Sequence, residues 1–464
     1  MKESRYTFAM MQGEKLRVTI TGLNNEGEGV VRAGDERFVL FVPDALPGEE
    51  ATVRLVQLKK NYGLAKVLAR HSSSADRSEP LCPDFSRCGG CQLQHMNYAS
   101  QLRLKTQTVC DALKRIAGLD EPPVSDCLSS PQQWGCRNKA SLPTQNDRLS
   151  KIKAGFYKKR SHDIVPFTQC PVLIPALERQ ILSLLAQIRQ EGLCGYDESK
   201  PDSNTNLLRH IISRKAFFTS ESLSGIVLKR PPSGYEKKAL QRIAVKISES
   251  SNGFIENIND KNGNFIWGDS TTCLSGRPVM EEQLGRFRFK MEISSFFQVN
   301  SAQALNLYNY AAGAALKDSP ENILELYAGV GSLTAFLAAG CKKLTAVESW
   351  RPAAEYIAVN AELNGLGNIT SSTGLAEEVT AGLTDQKYET VVLDPPRTGC
   401  APAVISALLK IAPATIVYVS CNPATLSRDA KALISGGYKL LTAQPFDMFP
   451  QTGHVETVAT FVRL

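Results

Sequence analysis

No stretch of about 18 consecutive apolar residues, the length that spans a bilayer, occurs anywhere in the 464 residues. A transmembrane helix is therefore not expected. No apolar segment follows Met1-Lys2-Glu3-Ser4-Arg5, so a secretory leader is not expected either, and a cytoplasmic location follows by default. Internal repeats and long low-complexity tracts are missing too. So is a lopsided charge: 53 basic against 46 acidic residues leave +7, a mildly basic balance that permits nucleic-acid binding without demanding it. Hydrophobic content of 43% with 21% charged residues argues against disorder. The length exceeds one core and predicts two to four domains.

Cysteine, in contrast, is plentiful, with 12 residues. A reducing compartment argues against disulfides. Cys82, Cys88 and Cys91 crowd together, with Cys110, Cys127, Cys136 and Cys170 downstream. A tight group of this kind points to metal.

Residues 13–70 read as short strands (16–21, 37–42, 51–56, 63–68) punctuated by Gly and Pro, the pattern of a small β-barrel. Lys59 and Lys60 near its end suit phosphate contact or a solvated strand edge. A linker-like run at 71–81 precedes the cysteine group, and 98–118 carries helical periodicity. The stretch 120–290 is mixed, with an apolar helix pattern around 177–188 and strand-like 225–228. From about 291 the order is regular: helix 302–316, strand 322–326, a Gly turn, helix 332–339, strand 343–347, a helix from 352, then strands at 390–393, 415–420, 438–441 and 456–462. Alternation of this kind predicts a largely parallel sheet covered on both faces. The expected organisation is α/β multidomain: a barrel over 1–70, a mixed α+β centre over 71–290 and a Rossmann-like domain over 291–464.

Within that last domain, Glu325-Leu-Tyr-Ala-Gly-Val-Gly331 ends the first strand. Gly329 and Gly331 let backbone approach a ligand and Ser332 opens the next helix, although plain tight turns also use such glycines. Glu348 ends the second strand, where an acid binds ribose hydroxyls. Position 334 is Thr, so the third glycine of the dinucleotide pattern is lacking. The balance tips to S-adenosylmethionine, which has no pyrophosphate.

Asp394-Pro395-Pro396-Arg397 follows a strand, and the prolines stiffen the turn that presents the carboxylate. Related Pro-Pro-Tyr turns serve amine methylation; Arg397 in place of the aromatic residue argues against an amine. Cys421 ends the next strand at a helix start, which favours a thiolate, while a buried structural cysteine is the plain alternative. Glu456 opens the last strand and can act as a base or as an ordinary strand end. A cysteine, a carboxylate and a methyl donor are the minimum set for methylating carbon 5 of uracil: thiolate attack at carbon 6 makes carbon 5 nucleophilic, and a base then removes its proton.

These motifs together resemble the bacterial RNA uracil-5-methyltransferases that modify 23S ribosomal RNA and the T-loop uridine of tRNA. The resemblance runs from about residue 13 to 464 and is weakest between about 175 and 285. It implies that Ser295-Phe-Phe-Gln-Val-Asn300 brings Gln298 to the cofactor. Phe296 and Phe297 become candidates for base stacking, with core packing the alternative. Cofactor roles are implied for Tyr327, Glu348 and Asp394, the nucleophile role for Cys421 and the base role for Glu456. Cys136-Arg137-Asn138-Lys139 resembles a segment near the target base, implying RNA contacts for Arg137 and Lys139. The barrel resembles the TRAM domain, an RNA-binding module. Departures are Ala328 where many members have Cys, Ser332 where many have Asn, and Leu375 near a position often polar.

Three clustered cysteines plus a distant one, expected to be Cys170, suit a [4Fe–4S] cluster better than zinc, which favours two short Cys pairs; free thiols are the third reading. The resemblance supports Cys82, Cys88, Cys91 and Cys170 as ligands and, through them, the 23S ribosomal-RNA branch. The cluster is expected to serve structure or RNA positioning, because methyl transfer moves no electrons. A tRNA uridine-5 enzyme, an RNA cytosine-5 methyltransferase, a nicotinamide oxidoreductase and a non-catalytic iron–sulfur scaffold are the rivals. The cytosine enzyme needs a cysteine in the Asp394 turn, and Cys400 lies far along it. A looped or flipped uridine is the expected target.

Overall fold

The computed structural model describes residues 11–33, 38–147, 151–197, 206–263 and 265–464. The opening pentapeptide and the expected strand start at 37 lie outside them. By its contacts the chain divides into two compact units, Met1–Leu104 with Gln451–His454, and Lys105–Pro450 with Val455–Leu464.

In the first unit, β1 (Lys15–Thr19), β2 (Gly22–Leu23), β3 (Gly29–Ala33), β4 (Phe38–Val42), β5 (Glu50–Leu58) and β6 (Tyr62–Arg70) form one sheet in the order β1-β5-β6-β4-β3-β2. The two edge strands are neighbours in the chain, so the sheet curls back on itself. Inside lie Ile20, Val31, Leu40, Val42, Val53 and Leu55. Runs rich in Val, Leu, Phe and Thr predict β1, β4, β5 and β6; the short β2 and β3 are hidden by the glycines around them. The buried Glu49 carboxylate receives Arg77 and Arg70 together with the Leu46 and Ser74 N–H groups. Its pKa falls to about 2 because those donors outweigh its burial. This fastens the linker-like segment to the barrel.

The second unit holds the end of helix α1 (Tyr98–Ala112), which finishes in a π-turn at Leu113–Ala117. Its central sheet has the order β13-β12-β11-β10-β7-β8-β9, from β7 (Lys139–Asn146), β8 (Ile152–Tyr157), β9 (Ile164–Pro166), β10 (Leu208–Lys215), β11 (Ser222–Leu228), β12 (Gly253–Ile258) and β13 (Ser270–Gly276). Helices α2 (Pro175–Gln190) and α3 (Gly234–Ser248) pack on it through Leu177, Ile181, Leu184, Leu240 and Ile243. A hairpin, β14 (Val279–Leu284) and β15 (Phe287–Glu292), leads to α4 (Ser301–Ala315).

The last sheet contains β16 (Asn322–Leu326), β17 (Lys343–Glu348), β18 (Ile369–Thr373), β19 (Thr390–Leu393), β20 (Thr415–Ser420), β21 (Tyr438–Phe446) and β22 (Glu456–Arg463). Its order is β18-β17-β16-β19-β20-β22-β21. The first five strands run parallel, and β22 is antiparallel to both β20 and β21. Helices α5 (Ser332–Ala338), α6 (Arg351–Leu363), α7 (Ala376–Ala381), α8 (Pro402–Ile411) and α9 (Pro423–Ser435) make the crossovers. Strand β18, rich in Ser and Thr, escaped the apolar pattern. The order reverses between β16 and β19, and a crevice at such a switch point is where doubly wound sheets take ligands.

Candidate active site

Everything chemical gathers at the carboxyl ends of β16, β17, β19 and β20. Gly329 (φ +58) and Gly331 (φ +83) make the turn after β16, and Tyr327 itself sits at φ +64. That last conformation is unfavourable for a residue with a Cβ. A side chain added at Gly329 would meet no protein atom within 4 Å, so the turn presents an open backbone face. Glu348 braces it: one carboxylate oxygen accepts the Gly329 N–H at 2.9 Å, the other the Trp350 N–H at 2.7 Å. Ser332 shares a hydrogen bond of 3.0 Å with the buried Tyr308 hydroxyl. Beneath the turn, burial pushes the Glu325 carboxyl up to about 8, assisted by the charges of Asp394 and Glu348.

Asp394 directly follows β19, where Leu393 stands in register with Leu326 and Tyr418. Burial raises its pKa to about 7. Cys421 directly follows β20. Because β22 runs antiparallel to β20, Ser420 is opposite Thr457, and Glu456 therefore lies beside Cys421. Glu456 is 3% exposed; burial, then the charge of Asp394, hold its carboxyl well above the usual range. Burial, Glu456 and Asp394 push the Cys421 thiol up to about 11, and Arg397 opposes them. Arg397 is thus the cation that faces the nucleophile candidate and its acids. In the sequence Arg397 stands out only as the residue that replaces an aromatic one.

The Asp394 turn is clamped to the helix after Cys421. Asn422 caps α9 and donates its side-chain N–H to the Arg397 carbonyl at 3.0 Å. The buried Asp429 accepts the Cys400 N–H at 2.9 Å and the Tyr418 hydroxyl at 2.7 Å. Arg428 donates to the Cys400 carbonyl at 3.0 Å. Cys400 is 3% exposed and burial lifts its thiol to about 12. It has the environment of a structural cysteine. Asp429 carried no signal in the sequence beyond helical spacing.

The two phenylalanines separate. Phe296 is 67% exposed, whereas Phe297 is buried under the Arg214 guanidinium, 5.6 Å from its centre. Buried Arg214 donates to the carbonyls of Ser295 at 2.7 Å and Phe297 at 3.3 Å, which fixes the loop carrying Gln298, itself buried. Arg137 donates to the Lys139 carbonyl at 3.0 Å. Lys139 lies over Trp267 at 5.8 Å; burial, then Arg214 and Arg137, hold its pKa well below the usual lysine value. Leu375 is exposed at the start of α7.

The cysteines expected to hold iron and sulfide lie apart from this crevice in the sequence. Cys82, Cys88 and Cys91 belong to the first unit and Cys170 to the second. The Gly90 N–H donates to the Cys88 sulfur at 3.3 Å. Cys170 lines an open cavity of about 550 Å³ with Trp134 and Gln169. Among the described residues no three His, Cys, Asp or Glu side chains come together as a metal site.

An open glycine turn braced by an acid, at the switch point of a sheet with this strand order, defines a methyltransferase of the S-adenosylmethionine-dependent class. The open face at Gly329 and the buried carboxylates beside it fit that cofactor. Residues 278–463 match the family described as tRNA (Uracil-5-)-methyltransferase, and residues 9–68 match the TRAM domain. An uncharacterized RNA methyltransferase of Gloeobacter violaceus is 38% identical over 98% of both chains. Another, of Halalkalibacterium halodurans, is 36% identical over 97% of both. The crystal structure of Pyrococcus abyssi tRNA (uracil-54, C5)-methyltransferase with S-adenosyl-L-homocysteine is similar at a TM-score of 0.76 and 29% identity, over 96% of this chain and 100% of that one. The chain belongs to the RNA (uracil-5-)methyltransferase family, with an N-terminal TRAM domain.

Proposed function

We propose that this protein methylates carbon 5 of a uridine in 23S ribosomal RNA, with Cys421 as nucleophile and Glu456 as base. What supports the reading most is the register of β20 and β22, which sets Glu456 beside Cys421 with Asp394 close by. S-adenosylmethionine, when bound, supplies the methyl group. Gln298, Tyr327, Gly329, Gly331, Ser332, Glu348 and Asp394 hold it. The Cys421 thiol gives its proton to solvent and the thiolate bonds to carbon 6 of the uracil, opening the carbon 5–carbon 6 double bond to an enolate that makes carbon 5 nucleophilic. Once carbon 5 carries the methyl group, Glu456 in its ionised form takes the carbon-5 proton, the electron pair re-forms the double bond, the carbon–sulfur bond breaks and the thiolate returns. Phe296, Arg137 and Lys139 contact the RNA, and the division into 1–70, 71–290 and 291–464 separates barrel, centre and catalytic domain.

The likeness to the Pyrococcus abyssi tRNA enzyme favours a second reading, a tRNA uridine. Labelled S-adenosylmethionine with unmodified 23S RNA or tRNA, followed by nucleoside mass spectrometry, tests both. Wild type should yield 5-methyluridine and Cys421→Ala none. Glu456→Gln should accumulate a denaturation-resistant protein–RNA adduct, because the proton that releases the cysteine stays in place. A 5-methylcytidine product would overturn the proposal.

We also propose that Cys82, Cys88, Cys91 and Cys170 bind a [4Fe–4S] cluster. The support is their spacing and the family resemblance. Anaerobically purified protein should contain close to four irons per chain, the cluster's own number, and Cys88→Ala should lose them. Full iron retention in that variant would reject the assignment.

A further inference from the structure

Strand β15 pairs with β14 alone among the described residues. Its outer edge therefore presents N–H and C=O groups that need other partners. Helix α6 supplies them from side chains. The Arg288 N–H donates to Asn364 Oδ1 at 2.9 Å, and Asn364 Nδ2 donates to the Arg288 carbonyl at 2.7 Å. The Lys290 N–H donates to Asn360 Oδ1 at 2.7 Å, and Asn360 Nδ2 donates to the Lys290 carbonyl at 3.2 Å. Tyr356 continues the row, its hydroxyl donating to Glu292 Oε1 at 3.4 Å. Every fourth residue of the helix thus meets every second residue of the strand. The spacings agree, because four residues of helix rise about 6 Å and two residues of strand about 6.8 Å. One face of α6 stands in for a neighbouring strand.

Asn360 does one thing more. Its Nδ2 also donates to the Val330 carbonyl at 2.9 Å, between the two glycines of the open turn. The helix is tight against that turn: a side chain begun at Gly331 would lie 3.4 Å from the Ile357 Cα. Asn is a poor helix former, yet Asn360 sits inside α6 and is 1% exposed. Both hydrogens of its amide and the oxygen are in use. They join two pieces of the site, the glycine turn and the strand that runs on into Phe296 and Gln298. Asn364 makes the same pair of bonds to β15 and none to the turn.

A buried amide shared between a turn and a strand fixes the distance between them, since moving either breaks bonds that no water replaces. We propose that Asn360 is a positioning residue for methyl transfer: it holds the glycine turn, which seats the cofactor, at a set distance from the strand that carries the Phe296–Gln298 loop toward the uridine. This role rests on the uridine-methylation reading and deepens it. Asn360 touches neither cofactor nor RNA itself and acts through the backbone on either side of it.

The test compares Asn360→Leu, Asn360→Asp and Asn364→Leu in the full chain. Urea unfolding should show a loss in both leucine variants, because each strips one residue of β15 of its partners. S-adenosylhomocysteine affinity, measured by calorimetry, should separate them: about tenfold weaker in Asn360→Leu, and as in wild type in Asn364→Leu. Asn360→Asp keeps an acceptor for the Lys290 N–H, but its ionised form has no donor for the Val330 carbonyl. Its affinity deficit, taken against wild type at the same pH, should therefore grow as the pH rises, whereas that of Asn360→Leu should stay constant. At saturating S-adenosylmethionine, kcat on RNA should fall by as much as about a hundredfold in Asn360→Leu through misplacement, and far less in Asn364→Leu. Wild-type cofactor affinity in both Asn360 variants would overturn the inference, as would an equal loss in Asn364→Leu. If wild type makes 5-methyluridine while Asn360→Leu binds the cofactor and turns over normally, this inference alone fails. If wild type makes no 5-methyluridine but cofactor is lost from the Asn360 variants alone, the methylation reading fails and the hold on the turn stands.

Discussion

At the scale of single residues, the site is a cysteine among acids with one cation against them. Burial and two carboxylates make Cys421 a weak acid, with a pKa of about 11, so in the free protein it is a thiol at neutral pH. Only the thiolate alkylates. Reaction of Cys421 with iodoacetamide, followed by peptide mass spectrometry, should therefore rise about tenfold per pH unit and level off only near its pKa. Arg397 lowers that pKa, so Arg397→Gln should move the profile to higher pH and slow alkylation at any fixed pH below the plateau; Arg397→Lys should recover part of the rate. An unmoved profile would remove Arg397 from the nucleophile's surroundings.

Among elements, the Asp394 turn and helix α9 act as one piece. Asp429 accepts from the Cys400 N–H, the Tyr418 hydroxyl and Arg428 Nε at 2.7 to 2.9 Å. Asp429→Ala leaves the first two donors buried without an acceptor, a loss of about 3 kcal/mol. Urea unfolding should show that loss, and calorimetry a weaker S-adenosylhomocysteine affinity, because the turn that carries Asp394 is released. Asp429→Asn keeps an acceptor oxygen and should fall between. An alanine variant of wild-type stability would show that the clamp is ornamental.

Across the whole molecule, the first unit is not continuous in the chain. Gln451–His454 belong to it, whereas Val455 and Glu456 belong to the second. Gln451, at φ +69, takes the Gln92 and Leu93 N–H groups on its carbonyl and exchanges hydrogen bonds with the buried Gln101 side chain. The four-residue segment is thereby fastened within the first unit. Gln101→Leu leaves the Gln451 N–H and side-chain oxygen without their partner, a loss of about 2 kcal/mol that urea unfolding should show. A variant of wild-type stability would show that the segment is held without Gln101.

Much of the catalytic domain was legible beforehand because its signals are local. A parallel strand between helices must be a short apolar run, and a turn that admits a ligand must use Gly or Pro, so Gly329, Gly331, Glu348, Asp394 and Cys421 could be read from spacing and type. The barrel was legible in four of its six strands, β1, β4, β5 and β6, through runs rich in Val, Leu, Phe and Thr. Only the tertiary structure decided what depends on neighbours distant in the chain. It buried Phe297 and exposed Phe296, because Arg214 from β10 covers one ring and not the other. It laid Glu456 against Cys421, because an antiparallel strand sets its first residue beside its partner's last. It laid the Asn360 and Asn364 amides along β15, because that edge exists only once the hairpin has formed. Residue type and local spacing are written along the chain; burial, charge neighbourhood and register are sums over contacts that exist only once it has folded.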